Sequence, residues 1–192
     1  MRRGRTHWTA RAILLGVLAV LASCASSSSR LPALPNDPVG AVYLLGAGDS
    51  LRITVFGEAD LSGTFKISDN GELVMPLVGQ VKAQGLSIPD LQKRLVSQLN
   101  VKAVKSPDVT IQIEEYRPFF ILGEVKNPGS YPYVPEMTVL TAVAIAGGFT
   151  FRASQDEVSV TRKRNGAPLE ARASRESRVL PGDVVYVFER HF

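Results

Sequence analysis

A two-residue alternation of apolar and polar side chains, punctuated by glycine, constrains this sequence more than any other feature. Leu51, Ile53 and Val55 alternate with Arg52 and Thr54; Val109, Ile111 and Ile113 alternate with Thr110, Gln112 and Glu114. Successive side chains on a strand point to opposite faces, so this pattern fits strands with one face buried and one wet. Gly46, Gly48 and Asp49 precede the first such strand and read as a tight turn feeding it. The signal returns late in the chain, where Gly182-Asp183 introduces Val185 and Val187. We read this echo as shared turn chemistry and not as a true repeat.

Between these turns the elements fall into two runs. Phe65 and Ile67 lead through Asp69-Asn70-Gly71 to Leu73 and Met75, which predicts a hairpin. Ser87 then opens a helix, with Asp90 three residues on in a capping-box arrangement. Pro89 is tolerated in the first turn. Ile88, Leu91, Leu95 and Leu99 share one face, and Lys93, Arg94 and Gln98 point away. The strand from Val109 closes a small α+β unit.

A second unit follows Arg117-Pro118. Phe119 to Val125 is an apolar strand ending in Gly123-Glu124-Val125, and Asn127-Pro128-Gly129 turns into a hairpin partner carrying Tyr131 and Tyr133. Thr138 caps a short helix bearing Val139, Leu140, Val143 and Ile145, which Gly147-Gly148 stops. Val158 and Val160 lead through Arg162-Lys163-Arg164 to an Asn165-Gly166 turn. We read that basic run as a solvated strand end, with contact to an anionic polymer as the lesser reading. Leu180-Pro181-Gly182-Asp183 introduces the last strand, Val184 to Phe188. The expected fold class is α+β. A strand-rich module with one helix spans 43–116, and a compact β-grasp-like module spans 117–192. Each has roughly 75 residues, a size at which a lone core is marginal. They are expected to bury surface against each other or against further copies.

The head of the chain sets the compartment. Arg2, Arg3, Arg5 and Arg11 precede an apolar run, Ile13 to Leu21, which ends in Leu21-Ala22-Ser23-Cys24. This order reads as a secretory signal over residues 1–23. The run is far shorter than the ~20 apolar residues of a bilayer span. The Leu-Ala-Ser-Cys ending resembles the bacterial lipobox, in which Cys24 becomes the lipidated first residue of the mature protein. The whole net charge of +4 belongs to this leader, and residues 24–192 carry equal numbers of basic and acidic groups. No basic stripe remains for nucleic acid. Cys24 is the only cysteine, so neither a disulfide nor a cysteine metal site can form within one chain. Residues 24–42 hold Ser26 to Ser29 and Pro32, Pro35 and Pro38. They are expected to act as a tether reaching on the order of 55 Å.

Catalysis finds no constellation. A Ser-His-Asp triad would have to use His191 at the end of the chain. Glu114-Glu115 and Asp156-Glu157 are strand neighbours that point to opposite faces, so neither pair converges across a glycosidic bond. Leu45-Gly46-Ala47-Gly48-Asp49 lacks the Lys-Ser/Thr of a phosphate loop. We expect no catalytic residue, no metal site and no cofactor. No Trp follows the leader, which disfavours a tight sugar-binding site.

The segment from Tyr43 through Gly46, Gly48 and Asp49 to Ile53 resembles the opening of the polysaccharide export domain of Wza-type export proteins. Gly71, Pro76, Gly79 and the helix from Ser87 fit that domain. The second module resembles the SLBB (soluble-ligand-binding β-grasp) domain at Gly123-Glu124-Val125-x-x-Pro128-Gly129-x-Tyr131, at Ala146-Gly147-Gly148 and at Pro181-Gly182-Asp183. The resemblance covers about residues 43–188. It implies a ring-forming lipoprotein anchored in the outer membrane and facing the periplasm. Such a homo-oligomer conducts a capsular polysaccharide or exopolysaccharide and works with an inner-membrane co-polymerase. The quoted residues would then be structural: glycines for turns and close backbone approach, and Asp49 and Asp183 as turn caps. Larger members carry further SLBB domains and a C-terminal helix that spans the outer membrane. Here the sequence stops at Phe192 straight after a strand, so we expect a periplasmic ring docking under a separate outer-membrane β-barrel. The alternatives are an SLBB envelope scaffold or soluble-ligand-binding module that passes no polymer, and an envelope hydrolase.

Overall fold

A computed structural model describes residues 31–35, 42–102, 104–164 and 166–190. The leader, Cys24 and most of the expected tether lie outside the described residues. In chain order the elements are β1 (Ser50–Val55), β2 (Gly63–Lys66), β3 (Glu72–Met75), β4 (Gly79–Lys82), α1 (Ile88–Lys102), β5 (Val109–Glu115), β6 (Phe119–Gly123), β7 (Gly129–Tyr131), α2 (Val139–Ile145), β8 (Ala153–Arg164), β9 (Ala167–Ala173) and β10 (Val184–Glu189). A short 3-10 turn, Ala59–Leu61, links β1 to β2. The fold is α+β, built on two hydrophobic cores.

In the first core the alternation does what the sequence asks of it. β1 pairs antiparallel with β5, so that Leu51 faces Ile113, Ile53 faces Ile111 and Val55 faces Val109. A one-residue slip would turn every one of these side chains to solvent. Leu91, Leu95 and Leu99 of α1 are fully buried against this face. The Ser87 hydroxyl accepts the Asp90 N–H at 3.2 Å and donates to the Asp90 carboxylate at 2.6 Å, capping α1.

The Asn70-Gly71 expectation needs correction. The turn forms, with the Gly71 N–H donating to the Ser68 carbonyl at 2.8 Å, but it does not join a hairpin. β2 pairs with β1, and β3 pairs with β4 in a separate two-stranded sheet. The reason is prior commitment of the backbone. Ile67 exchanges hydrogen bonds with Gly48 and Asp49, continuing the β1–β2 ladder, while the Gly71 carbonyl accepts from Ala83 and Gln84, continuing β3–β4.

The second core lies under one five-stranded sheet in the order β7-β6-β10-β8-β9. β10 runs parallel to β6, and the remaining pairs are antiparallel. The module's first and last strands thus lie side by side, the β-grasp arrangement. Phe119, Ile121, Val158, Val160, Val185 and Val187 fill the face that α2 covers. Thr138 caps α2 by accepting the Thr141 N–H at 3.3 Å, and the Gly148 N–H closes its end on the Val143 carbonyl at 2.9 Å.

Two further expectations change. Arg162 is not solvated but 6% exposed, because the β8 alternation sets it on the core face with Val158 and Val160. Lys163 and Arg164 are exposed. Nor is all of residues 24–42 a free tether. Leu31 to Pro35 lie along the outer edge of β9, with Ala33 bridging Arg172 in parallel. The Arg172 N–H donates to the Pro32 carbonyl at 2.8 Å and the Leu34 N–H to the Arg172 carbonyl at 2.6 Å. An edge strand offers such unpaired groups to any extended segment within reach.

Candidate functional site

The two Gly-Asp turns lie on either side of one arginine. Asp49 is 0% exposed. Its Oδ2 accepts the Gly46 N–H at 2.8 Å and the Tyr43 hydroxyl at 2.7 Å. Its Oδ1 accepts the Arg117 N–H at 2.9 Å. The Arg117 guanidinium closes the site: Nη1 lies 3.0 Å from Asp49 Oδ2 and 2.7 Å from the Tyr43 hydroxyl oxygen. From the same side chain Nε donates to the Pro181 carbonyl at 3.0 Å. Arg117 therefore ties the turn before β1 to the turn before β10. The Gly182 N–H adds a bond to the Pro118 carbonyl at 3.0 Å.

Glycine at both turns leaves room for this side chain. A Cβ on Gly46 would stand 2.5 Å from Arg117 Nη1, and one on Gly182 (φ +85°) would stand 2.9 Å from Nε. Gly48 lies in the same turn as Gly46, against the Arg117 Cβ. Aromatic rings extend the joint. Tyr43 packs edge-to-face on Tyr116 at 5.2 Å, and Tyr116 on Tyr133 at 5.3 Å. Burial, reinforced by the bond to Asp49, pushes the Tyr43 hydroxyl well above its ordinary pKa, so it stays a donor past the pH at which a free tyrosine ionises.

Asp183 is a turn cap as well, and more. Its Oδ2 accepts the Leu180 N–H at 2.7 Å, as Asp49 does in its own turn. It also takes both arms of Arg162, with Nη2 to Oδ2 at 2.7 Å and Nε to Oδ1 at 3.0 Å. Arg162 Nη2 donates further to the Arg178 carbonyl at 3.0 Å. This bidentate pair sits under the sheet with 7% and 1% side-chain exposure, which fixes the end of β8 against the start of β10.

The remaining motif residues form a second cluster. Gly123 ends β6 where a Cβ would meet the Val187 carbonyl oxygen at 2.1 Å. Glu124 accepts the Thr150 hydroxyl, and its N–H donates to the Val187 carbonyl at 3.0 Å. The β6–β7 loop, which contains Pro128 and leads to Gly129, is laced to the end of α2. The Lys126 N–H donates to the Gly148 carbonyl at 3.0 Å and the Asn127 N–H to the Ala146 carbonyl at 2.9 Å. Gly147 sits directly against Asn127. Gly71 stands apart from both clusters, and Cys24 lies outside the described residues.

Arg117 and Arg162 carry these joints, whereas the sequence reads Arg117 as a boundary residue and Arg162 as part of a solvated basic run. An arginine announces itself only when its carboxylate partner is near in sequence, and here the partners are 68 and 21 residues away. The usable signal was the pair of small-residue turns: glycines beside an Asp leave room for a large side chain. Among the described residues, no group of three or more His, Cys, Asp or Glu is arranged to hold a metal ion. An open depression of about 570 Å³ is lined by Ser154, Glu157, Tyr186, Phe188, Glu189 and Arg190.

Comparison with known proteins places this architecture. Residues 37–114 match the family described as polysaccharide biosynthesis/export protein, and residues 118–172 match the SLBB domain. The chain is 32% identical over 147 residues to the exopolysaccharide production protein ExoF of Rhizobium meliloti, covering 68% of this chain and 32% of ExoF. It is 28% identical over 155 residues to the EPS I polysaccharide export outer membrane protein EpsA of Ralstonia nicotianae, covering 74% and 40%. It is 28% identical over 108 residues to the polysialic acid transport protein KpsD of Escherichia coli, covering 55% and 19%. The matches thus span less than half the length of each relative. The chain thus carries a polysaccharide biosynthesis/export domain followed by an SLBB domain, joined through Arg117.

Proposed function

We propose that this protein exports a capsular polysaccharide or exopolysaccharide through the bacterial envelope. It acts as a ring of copies held to the outer membrane by lipid on Cys24 and facing the periplasm. An inner-membrane polysaccharide co-polymerase delivers the polymer, and a separate outer-membrane β-barrel receives it. Domain boundaries at 43–116 and 117–192, after a leader over 1–23, complete the reading, and the motif glycines with Asp49 and Asp183 serve as its structural joints.

The observation that carries the reading is the Asp49–Arg117–Pro181 joint. It couples an export domain to an SLBB domain as one body, as a conduit wall requires. The sheet's open face supports the ring. Phe120 and Leu122 on β6 and Tyr186 on β10 are 41%, 45% and 44% exposed, side by side in register. Phe56, Val74, Leu77 and Val101 stand out of the first module. Exposed apolar side chains on two parts of one chain suit a head-to-tail contact that closes into a ring.

A deletion strain tests the reading. Loss of surface polymer, restored by the wild-type gene and poorly by Cys24→Ala, is expected. Unchanged surface polymer, with no related copy in the genome, would replace the proposal with the scaffold reading. Leu122→Cys labelled with a maleimide–benzophenone, whose photoreactive arm bonds to any residue of the neighbouring copy, should give a ladder of oligomers on irradiation of membranes, and monomer alone would remove the ring.

A further inference from the structure

We propose that the open depression beside β10 is a weak binding site for an uncharged, hydroxyl-bearing stretch of glycan. Tyr186 and Phe188 supply its stacking surface, and Glu157 and Glu189 accept hydroxyls. This rests on the export reading above and gives the polymer a point of contact on the chain.

A break in the ladder creates the depression. β8 and β10 pair antiparallel, with Val187 opposite Val158 and then Glu189 opposite Ala153. Residues 154–157 of β8 therefore stand opposite Phe188 alone. Irregularities of this kind re-aim side chains and are over-represented beside active sites. The space left is about 570 Å³, lined by Ser154 and Glu157 from β8 and by Tyr186, Phe188, Glu189 and Arg190 from β10 and its end. That volume lies within the range of small-molecule sites. β6 and β8 flank β10 on opposite sides. The depression thus lies on the side of β10 away from Phe120 and Leu122, and a copy seated on β6 leaves it open.

The lining has the chemistry of a sugar contact. Tyr186 and Phe188 meet edge-to-face with ring centroids 5.4 Å apart, and Tyr186 is 44% exposed. A sugar ring presents C–H groups on its faces and hydroxyls around its edge, so it covers an aromatic surface while its hydroxyls reach acceptors alongside. Those acceptors are held in place. Glu157 Oε1 accepts Arg172 Nη1 at 3.2 Å, and Glu189 Oε1 accepts Arg152 Nε at 2.8 Å. Each arginine fixes its carboxylate, whose further lone pairs accept sugar hydroxyls. A carboxylate has no proton to donate, so the site takes hydroxyls and disfavours a sugar acid. Two modest rings in an open depression suit a contact that releases a moving polymer.

The test uses the full chain in detergent micelles and saturation-transfer NMR, which reads weak binding. The probes are oligosaccharides released by mild acid from the host strain's surface polymer, its lipopolysaccharide core oligosaccharide, and its muramidase-digested peptidoglycan. Surface-polymer fragments should show transfer at their uncharged sugars. Phe188→Ser should weaken it roughly tenfold, with the oligomer ladder from labelled Leu122→Cys unchanged. Glu157→Ala, at an exposed position, should also weaken it and keeps the test open if Phe188→Ser fails to fold. No transfer to any probe, transfer untouched by the folded variants, or transfer confined to acidic sugars overturns the site. Loss of the ladder in folded Phe188→Ser makes the depression a contact between copies instead. Transfer to core oligosaccharide or peptidoglycan alone overturns the polymer as its ligand. The deletion strain reports separately: surface polymer lost there with no transfer here removes the site and keeps the export reading.

Discussion

Replacing Asp49 by alanine tests whether one carboxylate holds the two modules together. The substitution removes the acceptor of the Gly46 and Arg117 N–H groups, at 2.8 and 2.9 Å, and of the Tyr43 hydroxyl at 2.7 Å. Water has no ready access, because Asp49 is 0% exposed. Each amide left without a partner costs about 1–3 kcal/mol. The guanidinium of Arg117 adds little, since its side chain is 26% exposed and keeps the Tyr43 hydroxyl and the Pro181 carbonyl. The sum is a loss of about 3–5 kcal/mol, with the donors' shortfall as its main part. At roughly 2–4 °C per kcal/mol for a chain of this size, the midpoint should fall by about 6–20 °C. Urea unfolding followed in parallel by tyrosine fluorescence and far-UV circular dichroism gives the matching free energy. A lower midpoint at constant slope reports lost stability. Transitions that separate between probes would show the modules uncoupling, which also supports the joint. A loss under about 1 kcal/mol with coincident transitions would refute the reasoning.

The buried pair under the sheet should respond to either partner. Arg162→Ala leaves the Asp183 carboxylate buried and is expected to cost about 3–5 kcal/mol, whereas Arg52→Ala, at the exposed pair with Glu114, should cost under about 1 kcal/mol; urea midpoints compare them directly. Gly123→Ala would drive a Cβ onto the Val187 carbonyl oxygen, at 2.1 Å and φ +84°. Loss of the protected β6 and β10 amides in hydrogen exchange is the expected readout, and wild-type protection would contradict it. The raised Tyr43 pKa makes stability depend on alkaline pH. The folded state holds this proton more tightly than the unfolded chain, so the contribution is complete below the unfolded pKa of about 10 and is lost as pH rises above it. Tyr43→Phe should start less stable at neutral pH and lose less stability between pH 9 and about 11; equal slopes for both proteins would exclude the assignment.

Local chemistry was legible wherever neighbours in sequence are neighbours in space. The β1 and β5 alternation, the Ser87-Asp90 and Thr138 caps, the Gly147-Gly148 stop and the two Gly-Asp turns all follow from rules that act over a few residues. Partner choice did not follow. Asn70-Gly71 encodes a turn, yet which strands it joins depends on ladders already begun at Asp49 and completed at Gln84. Arg162 stands in a basic run that reads as solvated, and only the approach of Asp183 makes its burial tolerable. Arg117 reads as a boundary residue until the fold sets Asp49 and Pro181 on either side of it. Leu31 to Pro35 carry a linker's composition, and only the open edge of β9 turns them into a strap. The sequence by itself determined the elements and their turns, because backbone preference and side-chain periodicity are short-range. The tertiary structure decided the pairings and the joints, because a buried charge or an open strand edge is satisfied by groups that chain folding alone brings near.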